Sequence, residues 1–259
     1  MLRLCVLGSG SRGNAIFLGD GETSMLVDAG LSALQIKLRL EKIGVPLDSI
    51  NAVLLSHEHA DHNGGIPILL KNTDIKCYAN RDTAEETFQG RRARNVKVFS
   101  TGESFSIGHF HIHPFNVPHD AIDPVGFEIR HFSRKIAVAT DLGCATTLVR
   151  QVLKDADYLI LEANHDKMML ENDTHRPWAL KQRIAGKFGH LSNDDSGKLL
   201  SEVACPHLKL VFLAHISRDC NTKSLAEATV RRYLKESGNS HVDILPTHQD
   251  EIAEPIAVA

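Results

Sequence analysis

Four side chains of the types that can bind metal ions occur within six residues, directly after a short apolar segment that is typical of a buried strand. The apolar segment covers residues 52–55, and the side chains that follow are His57, His59, Asp61 and His62. Because alternate side chains of an extended chain project to the same side, His57 and His59 can bind one ion together. Past the strand end, Asp61 and His62 are expected to point toward a second ion. Imidazole and carboxylate groups suit Zn²⁺, Mn²⁺ or Fe; a solvated, histidine-rich loop is the alternative.

The composition is that of an ordinary globular protein, with 259 residues, 42% of them hydrophobic and 24% charged. This length allows one large domain or two small ones, and without a repeat or linker we expect a single domain over residues 1–259. The formal net charge of −3 excludes a globally basic nucleic-acid binder but not a local basic patch.

Five scattered cysteines without a CxxC pair indicate reduced thiols in a cytoplasmic protein rather than a disulfide scaffold. The first residues show no export signal. No apolar stretch approaches the roughly 18 residues that a membrane span needs. We therefore expect a cytoplasmic protein with no membrane partner.

Hydrophobic periodicity and turn residues predict strands throughout the first half of the chain and helices between strands in the second half. Strands are predicted at residues 2–7, 15–18, 24–27, 52–55, 76–79, 104–107, 110–115, 126–130, 135–139, 157–162, 208–213 and 241–245. Helices are predicted at residues 31–42, 144–153, 177–185, 194–203 and 224–237. Two strand-rich halves, each followed by helices, suggest packed sheets with helices outside.

The sequence LSHEHADHNGG at residues 55–65 resembles the HxHxDH signature of the metallo-β-lactamase superfamily. Other segments extend the resemblance over nearly the whole chain and are similar to the YycJ/WalJ subgroup of exonuclease-like, metal-dependent hydrolases. These segments are GSGSRGN (8–14), VDAG (27–30), PHDA (118–121), ATD (139–141), EANHD (162–166) and GHLSN (189–193). The resemblance implies an α+β fold, a four-layer αββα sandwich with the metal site at one edge of two facing sheets.

The resemblance adds three metal ligands, His119, Asp141 and His215, and each of them follows an apolar strand. It implies two divalent metal ions per chain, Zn or Mn with Fe as an alternative. It assigns His57, His59 and His119 to one ion, Asp61, His62 and His215 to the other, and Asp141 to a position between them. Taken alone, each added residue could equally be structural, and Asp141 could also cap a helix. Asp28 could orient a ligand imidazole or only form a turn beside glycine.

His190 resembles the unligated histidine with which related phosphodiesterases protonate the leaving oxygen; a structural histidine is the alternative. The catalytic residues expected are therefore Asp61 and His190. Candidate substrate contacts are His165, Ser11 and Asn14, although a glycine-rich turn such as residues 8–14 is usually only a turn.

Two basic segments could contact a nucleic-acid backbone or could only be solvated faces. They are residues 91–97 and the set Lys181, Arg183 and Lys187.

One departure from the subgroup is Cys220, which stands where relatives usually show the first of two asparagines. It puts a polar contact there in doubt, but not ligation by His215.

Two divalent ions can bind a shared water, lower its pKa and neutralise charge on a phosphoryl group. Together with the resemblance, this chemistry predicts a binuclear hydrolase that cleaves phosphodiester bonds as a DNA exonuclease, with a metal-bridging hydroxide and His190 as general acid. The alternatives are a hydrolase of small molecules (a cyclic or simple phosphodiester, a lactone or a β-lactam) and a non-enzymatic, metal-stabilised binding domain. The expected partner is nucleic acid, DNA ahead of RNA. The identity of the metal, the polarity of digestion and the oligomeric state stay open.

Overall fold

The computed structural model describes residues 1–89 and 95–258. Its strands are β1 (Leu2–Gly8), β2 (Ala15–Gly19), β3 (Ser24–Val27), β4 (Ala52–Leu54), β5 (Lys76–Asn80), β6 (Val96–Phe99), β7 (Phe105–Ile107), β8 (Phe110–Asn116), β9 (Val125–His131), β10 (Arg134–Ala139), β11 (Tyr158–Glu162), β12 (Leu210–Ala214), β13 (Asp243–Pro246) and β14 (Ile256–Val258). Its helices are α1 (Ala33–Lys42), α2 (Ala60–Asn63), α3 (Ile66–Asn72), α4 (Arg81–Phe88), α5 (Thr147–Leu153), α6 (Lys167–Asn172), α7 (Trp178–Ile184), α8 (Asn193–Val203) and α9 (Lys223–Glu236). A short 3₁₀ turn covers Leu47–Ser49.

These elements form two compact units. The first unit comprises Met1–Pro114, Ala121–Val125 and Gln249–Ala259, and the second comprises Phe115–Asp120 and Gly126–His248. The single domain over residues 1–259 stays a prediction. Within the described ranges, no helix is both long and apolar enough to cross a membrane.

The first unit contains a mixed sheet with the strand order β14-β1-β2-β3-β4-β5-β6. Strands β1 to β3 form an antiparallel meander, whereas β3 to β6 run parallel. The ends of the parallel strands are aligned, since Val27 pairs with Leu54 and Leu54 with Tyr78. The segments that follow β3 and β4 therefore leave the sheet at the same edge. Helices α1 and α3 supply Ile36, Leu40 and other buried apolar residues to the core of this unit.

The second unit contains strands in the order β13-β12-β11-β10-β9. β9 and β10 form an antiparallel hairpin, and β10 to β13 run parallel. Ala139 pairs with Leu161, and Glu162 pairs with Ala214, so β10, β11 and β12 end side by side. Carboxyl ends of parallel strands are the usual location of ligand sites in such sheets. Apolar residues of α5, α8 and α9 pack on this sheet and form its core.

The structure confirms the α+β class and places a strand or helix at each predicted location. The helix predicted from residue 144 begins later, because the Thr146 side chain accepts a hydrogen bond from the backbone N of Val149 and caps α5 there. The sequence analysis missed short elements, which are α2, α3, α4, α6, β6 and β14. Of the basic segment at residues 91–97, residues 91–94 lie outside the described residues, and Lys97 lies in β6.

Candidate metal centre

In the first unit, Asp28 organises the histidine-rich segment that follows β4. The buried Asp28 accepts hydrogen bonds from the Ser56 backbone N (2.8 Å to Oδ1) and the Ser56 hydroxyl (2.9 Å to Oδ2). Its Oδ2 also accepts a hydrogen bond from Nδ1 of His62 at 2.7 Å. Because Nδ1 of His62 donates, its Nε2 carries the lone pair, and the Asn14 amide lies 3.0 Å from that Nε2. Asp28 therefore orients an imidazole and also forms a turn with φ 59°, so the two interpretations left open coexist.

The other three side chains of the motif, those of His57, His59 and Asp61, lie close to Ser56, His62 and each other. The Ser56 hydroxyl already donates to Asp28, so Nδ1 of His57, 2.9 Å from Ser56 Oγ, donates to it. The His57 and His59 ring centroids lie 4.7 Å apart, and Asp61 Oδ2 lies 3.8 Å from Nε2 of His62. The first unit thus brings together all four motif residues.

Gly30 permits the close packing of the VDAG turn against this motif. A Cβ atom at residue 30 would lie 1.6 Å from the backbone oxygen of Asp61. The backbone oxygen of Asp61 also accepts a hydrogen bond from the Asn14 backbone N at 2.7 Å. A side chain at residue 30 would therefore displace the backbone of the motif itself.

In the second unit, four titratable side chains meet where the parallel strands end. Asp141 follows β10, Glu162 ends β11 and His215 follows β12, while His190 comes from the loop before α8. Each of the four residues offers one ligand atom, and these atoms all lie within 4.8 Å of one another. Asp141 and His215 both have φ 54°, a left-handed backbone that is uncommon for any residue other than glycine. Such a cluster of strained, buried polar residues is typical of a functional site.

Glu162 is fully buried and joins two of the histidines to the backbone. Its Oε1 accepts hydrogen bonds from Nδ1 of His190 at 2.8 Å and from Nδ1 of His215 at 3.1 Å. Its Oε2 accepts hydrogen bonds from the backbone N of Leu142 at 2.8 Å and of Leu191 at 3.1 Å. Glu162 therefore fixes the orientation of both rings.

The charges of this cluster favour a carboxylate beside a protonated histidine. Burial raises the pKa of Glu162, but the charge of His190 and hydrogen bonds from His190 and His215 outweigh it, and the pKa falls to about 2. Burial lowers the pKa of His190, but the charge and hydrogen bond of Glu162 outweigh it and raise this pKa above its ordinary value. At His119 burial prevails and lowers the pKa, which favours the neutral imidazole that binds metals.

His119 and His215 present the same ring atom toward Asp141. Nδ1 of His119 donates to the Gly189 carbonyl at 3.1 Å, and Nδ1 of His215 donates to Glu162. The Nε2 atoms of His119 and His215 lie 3.8 and 3.7 Å from Oδ1 of Asp141. These distances exceed a hydrogen bond. They are near the separation of roughly 3.4 Å expected for two ligands on one tetrahedral ion with bonds of about 2.1 Å.

The donor set therefore fits divalent metal ions. Four histidine rings have Nδ1 hydrogen-bonded to an oxygen atom and Nε2 as the remaining ring nitrogen: His57, His62, His119 and His215. Metal-binding histidines in proteins usually show this arrangement, because the hydrogen bond from the ring nitrogen that does not bind the metal fixes the tautomer. The accompanying carboxylates complete a nitrogen and oxygen set of the kind that Zn²⁺ and Mn²⁺ prefer.

The candidate substrate contacts differ in accessibility. Ser11 is exposed, whereas Asn14 is buried and its Oδ1 accepts hydrogen bonds from the Ser9 hydroxyl at 2.8 Å and the Gly10 backbone N at 2.9 Å. His165 is also buried, and burial lowers its pKa to about 4. In the present structure, Asn14 and His165 thus lie beneath the protein surface, and their contact with substrate stays a prediction.

The Cys220 departure affects a hydrogen-bonded turn. The Cys220 thiol donates to Oδ2 of Asp173 at 3.5 Å. The following Asn221 is buried and donates to the backbone oxygens of Ala163 at 2.9 Å and Asn164 at 3.1 Å. The second asparagine therefore holds the segment after β11 in place.

Sequence reasoning named the residues of both clusters except Glu162. It gave that residue no role, although Glu162 ends an apolar strand in the same way that Asp141 and His215 follow theirs. This position was the signal that could have identified it.

Comparison with known proteins identifies the family. The family described as "Beta-lactamase superfamily domain" matches residues 23–216. The chain is 33% identical over 260 residues to "Exodeoxyribonuclease YycJ" of Bacillus anthracis, with coverage of 99% of this chain and 98% of the relative. It is 32% identical over 237 residues to "Exodeoxyribonuclease WalJ" of Streptococcus pneumoniae, with coverage of 90% and 88%.

Solved structures agree on the fold. The metallo-β-lactamase fold protein YhfI from Bacillus subtilis matches with a TM-score of 0.75 and 19% identity, covering 98% of this chain and 100% of that one. Zn²⁺-bound PqqB from Methylobacterium extorquens matches with a TM-score of 0.69 and 17% identity, covering 97% and 99%. The predicted resemblance is thus confirmed: the chain belongs to the β-lactamase superfamily, has the metallo-β-lactamase fold and is a metal-dependent hydrolase.

Proposed function

We propose that this chain is a binuclear metal-dependent hydrolase that removes nucleotides from the ends of DNA by cleaving phosphodiester bonds. The observation that carries the proposal is the Glu162–His190 hydrogen bond of 2.8 Å beside the ligand candidates Asp141 and His215. A charged histidine next to ligand candidates meets the two needs of phosphodiester cleavage, a proton for the leaving oxygen and a site for the phosphoryl charge.

The proposed ligands fall into two triads and a shared carboxylate. They are His57, His59 and His119 for one ion, Asp61, His62 and His215 for the other, and Asp141 for both. When bound, divalent ions supply an activated water and a Lewis-acid contact to phosphoryl oxygens. Oxygen acceptors hold four of the imidazoles that would bind the ions: the Ser56 hydroxyl holds His57, Asp28 holds His62, the Gly189 carbonyl holds His119, and Glu162 holds His215. Preset rings lower the cost of ordering the site when metal binds.

His190 is the proposed general acid. Its Nδ1–H donates to Glu162, so its Nε2–H is the proton that the ring can give to a leaving oxygen. The raised pKa of His190 increases the protonated fraction near neutral pH. Asp61 is the second proposed catalytic residue, as a ligand whose carboxylate helps to fix the reacting water.

DNA as the substrate rests on relatives rather than on the geometry. Two relatives named exodeoxyribonuclease align with nearly the full chain at 33% and 32% identity. We also place the activity in the cytoplasm, because the five scattered cysteines are all unpaired thiols.

End-labelled single- and double-stranded DNA, incubated with Zn²⁺ or Mn²⁺, tests the proposal. We expect stepwise shortening from a labelled end and two metal ions per chain by elemental analysis. Loss of a general acid typically costs 10²–10⁴-fold in rate, so His190→Ala should retain both ions but slow digestion by roughly that factor. The matched control is His207→Ala, an exposed histidine of the same unit, which should digest normally.

Three outcomes would contradict the proposal. One is absence of digestion with either metal when both ions are bound. A second is loss of metal from His190→Ala, because His190 would then be a ligand rather than the acid. A third is faster turnover of bis-p-nitrophenyl phosphate, a lactone or nitrocefin than of DNA, which would favour the small-molecule alternative.

A further inference from the structure

Helix α7 and the turn after it carry large apolar side chains on the surface. No residue of α7 (Trp178–Ile184) is buried. Trp178 is 65% exposed, and Phe188, four residues beyond the helix, is 63% exposed. Exposed apolar residues are common one at a time, so these two aromatic side chains gain meaning only from the charges beside them.

The same segment is basic although the whole chain is acidic. Residues 177–189 contain Lys181, Arg183 and Lys187 but no Asp or Glu, in a chain with a net charge of −3. The Lys181 ammonium donates to the backbone carbonyl of Glu171 at 2.7 Å, so no carboxylate neutralises it in that contact. Arg183 donates to the Asp120 carboxylate. The basic side chains of this segment therefore favour an anionic partner.

The C-terminal end of this segment is fixed to the proposed active site of the same unit. The Gly189 carbonyl accepts the hydrogen bond from Nδ1 of His119, and the His190 backbone N donates to the Ile184 carbonyl at 2.8 Å. A Cβ at Gly143 would lie 2.3 Å from the Lys187 carbonyl oxygen, so the segment packs tightly beside the residues that follow Asp141. A ligand on α7 would thus lie next to His190 in the chain and in space.

We propose that residues 177–189, the α7 platform, bind single-stranded DNA. Bases stack on Trp178 and Phe188, while Lys181 and Lys187 contact phosphates. Aromatic side chains interleaved with basic ones are the usual platform for unpaired nucleotides, because every base presents a flat face and every linkage a charge. Bases within a duplex are already stacked on each other, so the platform selects a single-stranded end. This proposal rests on the proposed function and names the form of its substrate.

Trp178 is the only tryptophan of the chain, so the intrinsic tryptophan fluorescence of the full-length protein comes from the platform itself. The experiment titrates the protein with a ten-nucleotide oligothymidylate in EDTA, where metal-dependent digestion is suppressed. We expect saturable quenching of the fluorescence. A duplex of the same length and heparin, a polyanion without bases, should quench much less.

Variants are compared by anisotropy of a labelled oligothymidylate. Phe188→Ala and Trp178→Ala should each weaken binding by roughly 5- to 150-fold, the range for loss of one stacked base. Lys181→Ala and Lys187→Ala should each reduce the slope of log K against log salt by about 0.7. The matched controls are Phe132→Ala and Lys198→Ala, exposed residues of the same unit, which should bind as wild type does.

Equal quenching by heparin or by the duplex would overturn the stacking assignment. A change from dimer to monomer in sedimentation of Trp178→Ala would also overturn it and identify the surface as an interface between copies of the chain. Digestion assays separate the two proposals. Normal digestion with unchanged binding by Phe188→Ala would refute the platform alone, whereas oligothymidylate binding without digestion in any metal would refute the exonuclease and leave the platform supported.

Discussion

Replacement of Glu162 by glutamine tests whether one buried carboxylate organises the second unit. The wild-type side chain accepts four hydrogen bonds, two from the backbone N atoms of Leu142 and Leu191 and two from the rings of His190 and His215. A glutamine side chain keeps one acceptor oxygen and turns the other position into a donor. It therefore cannot satisfy the backbone pair and the ring pair at the same time.

The magnitude follows from the donors that lose their acceptor. Each buried donor left without a partner costs about 1–3 kcal/mol, and two donors are affected. A change of histidine tautomer recovers part of this cost, because an unprotonated Nδ1 can accept from the glutamine amide. We expect Glu162→Gln to lower the free energy of unfolding by about 2–4 kcal/mol. In a chain of this size each 1 kcal/mol lowers the melting temperature by about 2–4 °C, so the fall should be about 4–16 °C.

Differential scanning calorimetry in EDTA measures this effect without a contribution from bound metal. The matched control is Glu202→Gln, which removes an exposed carboxylate paired with Arg150 at 2.6 Å and should cost less than about 1 kcal/mol. If Glu162→Gln melts within 1 °C of wild type while the control behaves as expected, then Glu162 does not hold the cluster and the argument for its role is wrong.

Three further variants each test a contact whose residues all lie within a single unit. Asp28→Asn keeps a residue type that accepts φ 59° but removes the carboxylate to which Nδ1 of His62 donates. Because that carboxylate orients the ring, the variant should bind metal about 10- to 100-fold more weakly, as measured by competition with a chelator. Glu128 Oε2 lies 3.0 Å from Nζ of the buried Lys135, and Glu128 Oε1 lies 2.6 Å from Nε of Arg130. Burial raises the pKa of Glu128, but the hydrogen bonds and charges of Lys135 and Arg130 outweigh it and lower this pKa below its ordinary value. Urea unfolding should therefore show a stability deficit of Glu128→Gln that is full above pH 4.5 and shrinks as the pH falls through the folded pKa; a constant deficit would refute the pairing. Gly143→Ala places a Cβ against backbone atoms only, and calorimetry should show lower stability than wild type, whereas an unchanged melting temperature would contradict the packing.

The parts of the fold that could be predicted are those with a local signal. The strand that leads into His57 is apolar and short, and Ser32 caps α1 by accepting from the Gln35 backbone N at 3.2 Å, as its position in the sequence indicates. Motif spacing then named His57, His59, Asp61 and His62. The other three proposed ligands, His119, Asp141 and His215, came from the family resemblance, because nothing in their local sequence separates a ligand from a structural residue.

The missed features depend on contacts between distant residues. Glu162 gains its role only because β11 pairs with β10 on one side and β12 on the other, and a strand sequence does not state its neighbours. Helices α3 and α4 have seven and eight residues. These lengths give too few turns for the 3.6-residue periodicity of apolar side chains to be recognised in the sequence. The bonds of Oε2 to the backbone of Leu142 and Leu191 likewise require the assembled unit.

The left-handed backbone at Asp28, Asp141 and His215 offers a way to judge distant family members. Glycine adopts this conformation without a steric cost and asparagine adopts it more readily than most residues, whereas a non-glycine residue held there costs about 1–3 kcal/mol. In a homologue that is no longer an enzyme, selection no longer maintains aspartate or histidine at these positions. Substitution by glycine or asparagine should then become common there. Retention of all three against the preference of the backbone would thus mark a homologue that still performs chemistry, even where its overall similarity is slight.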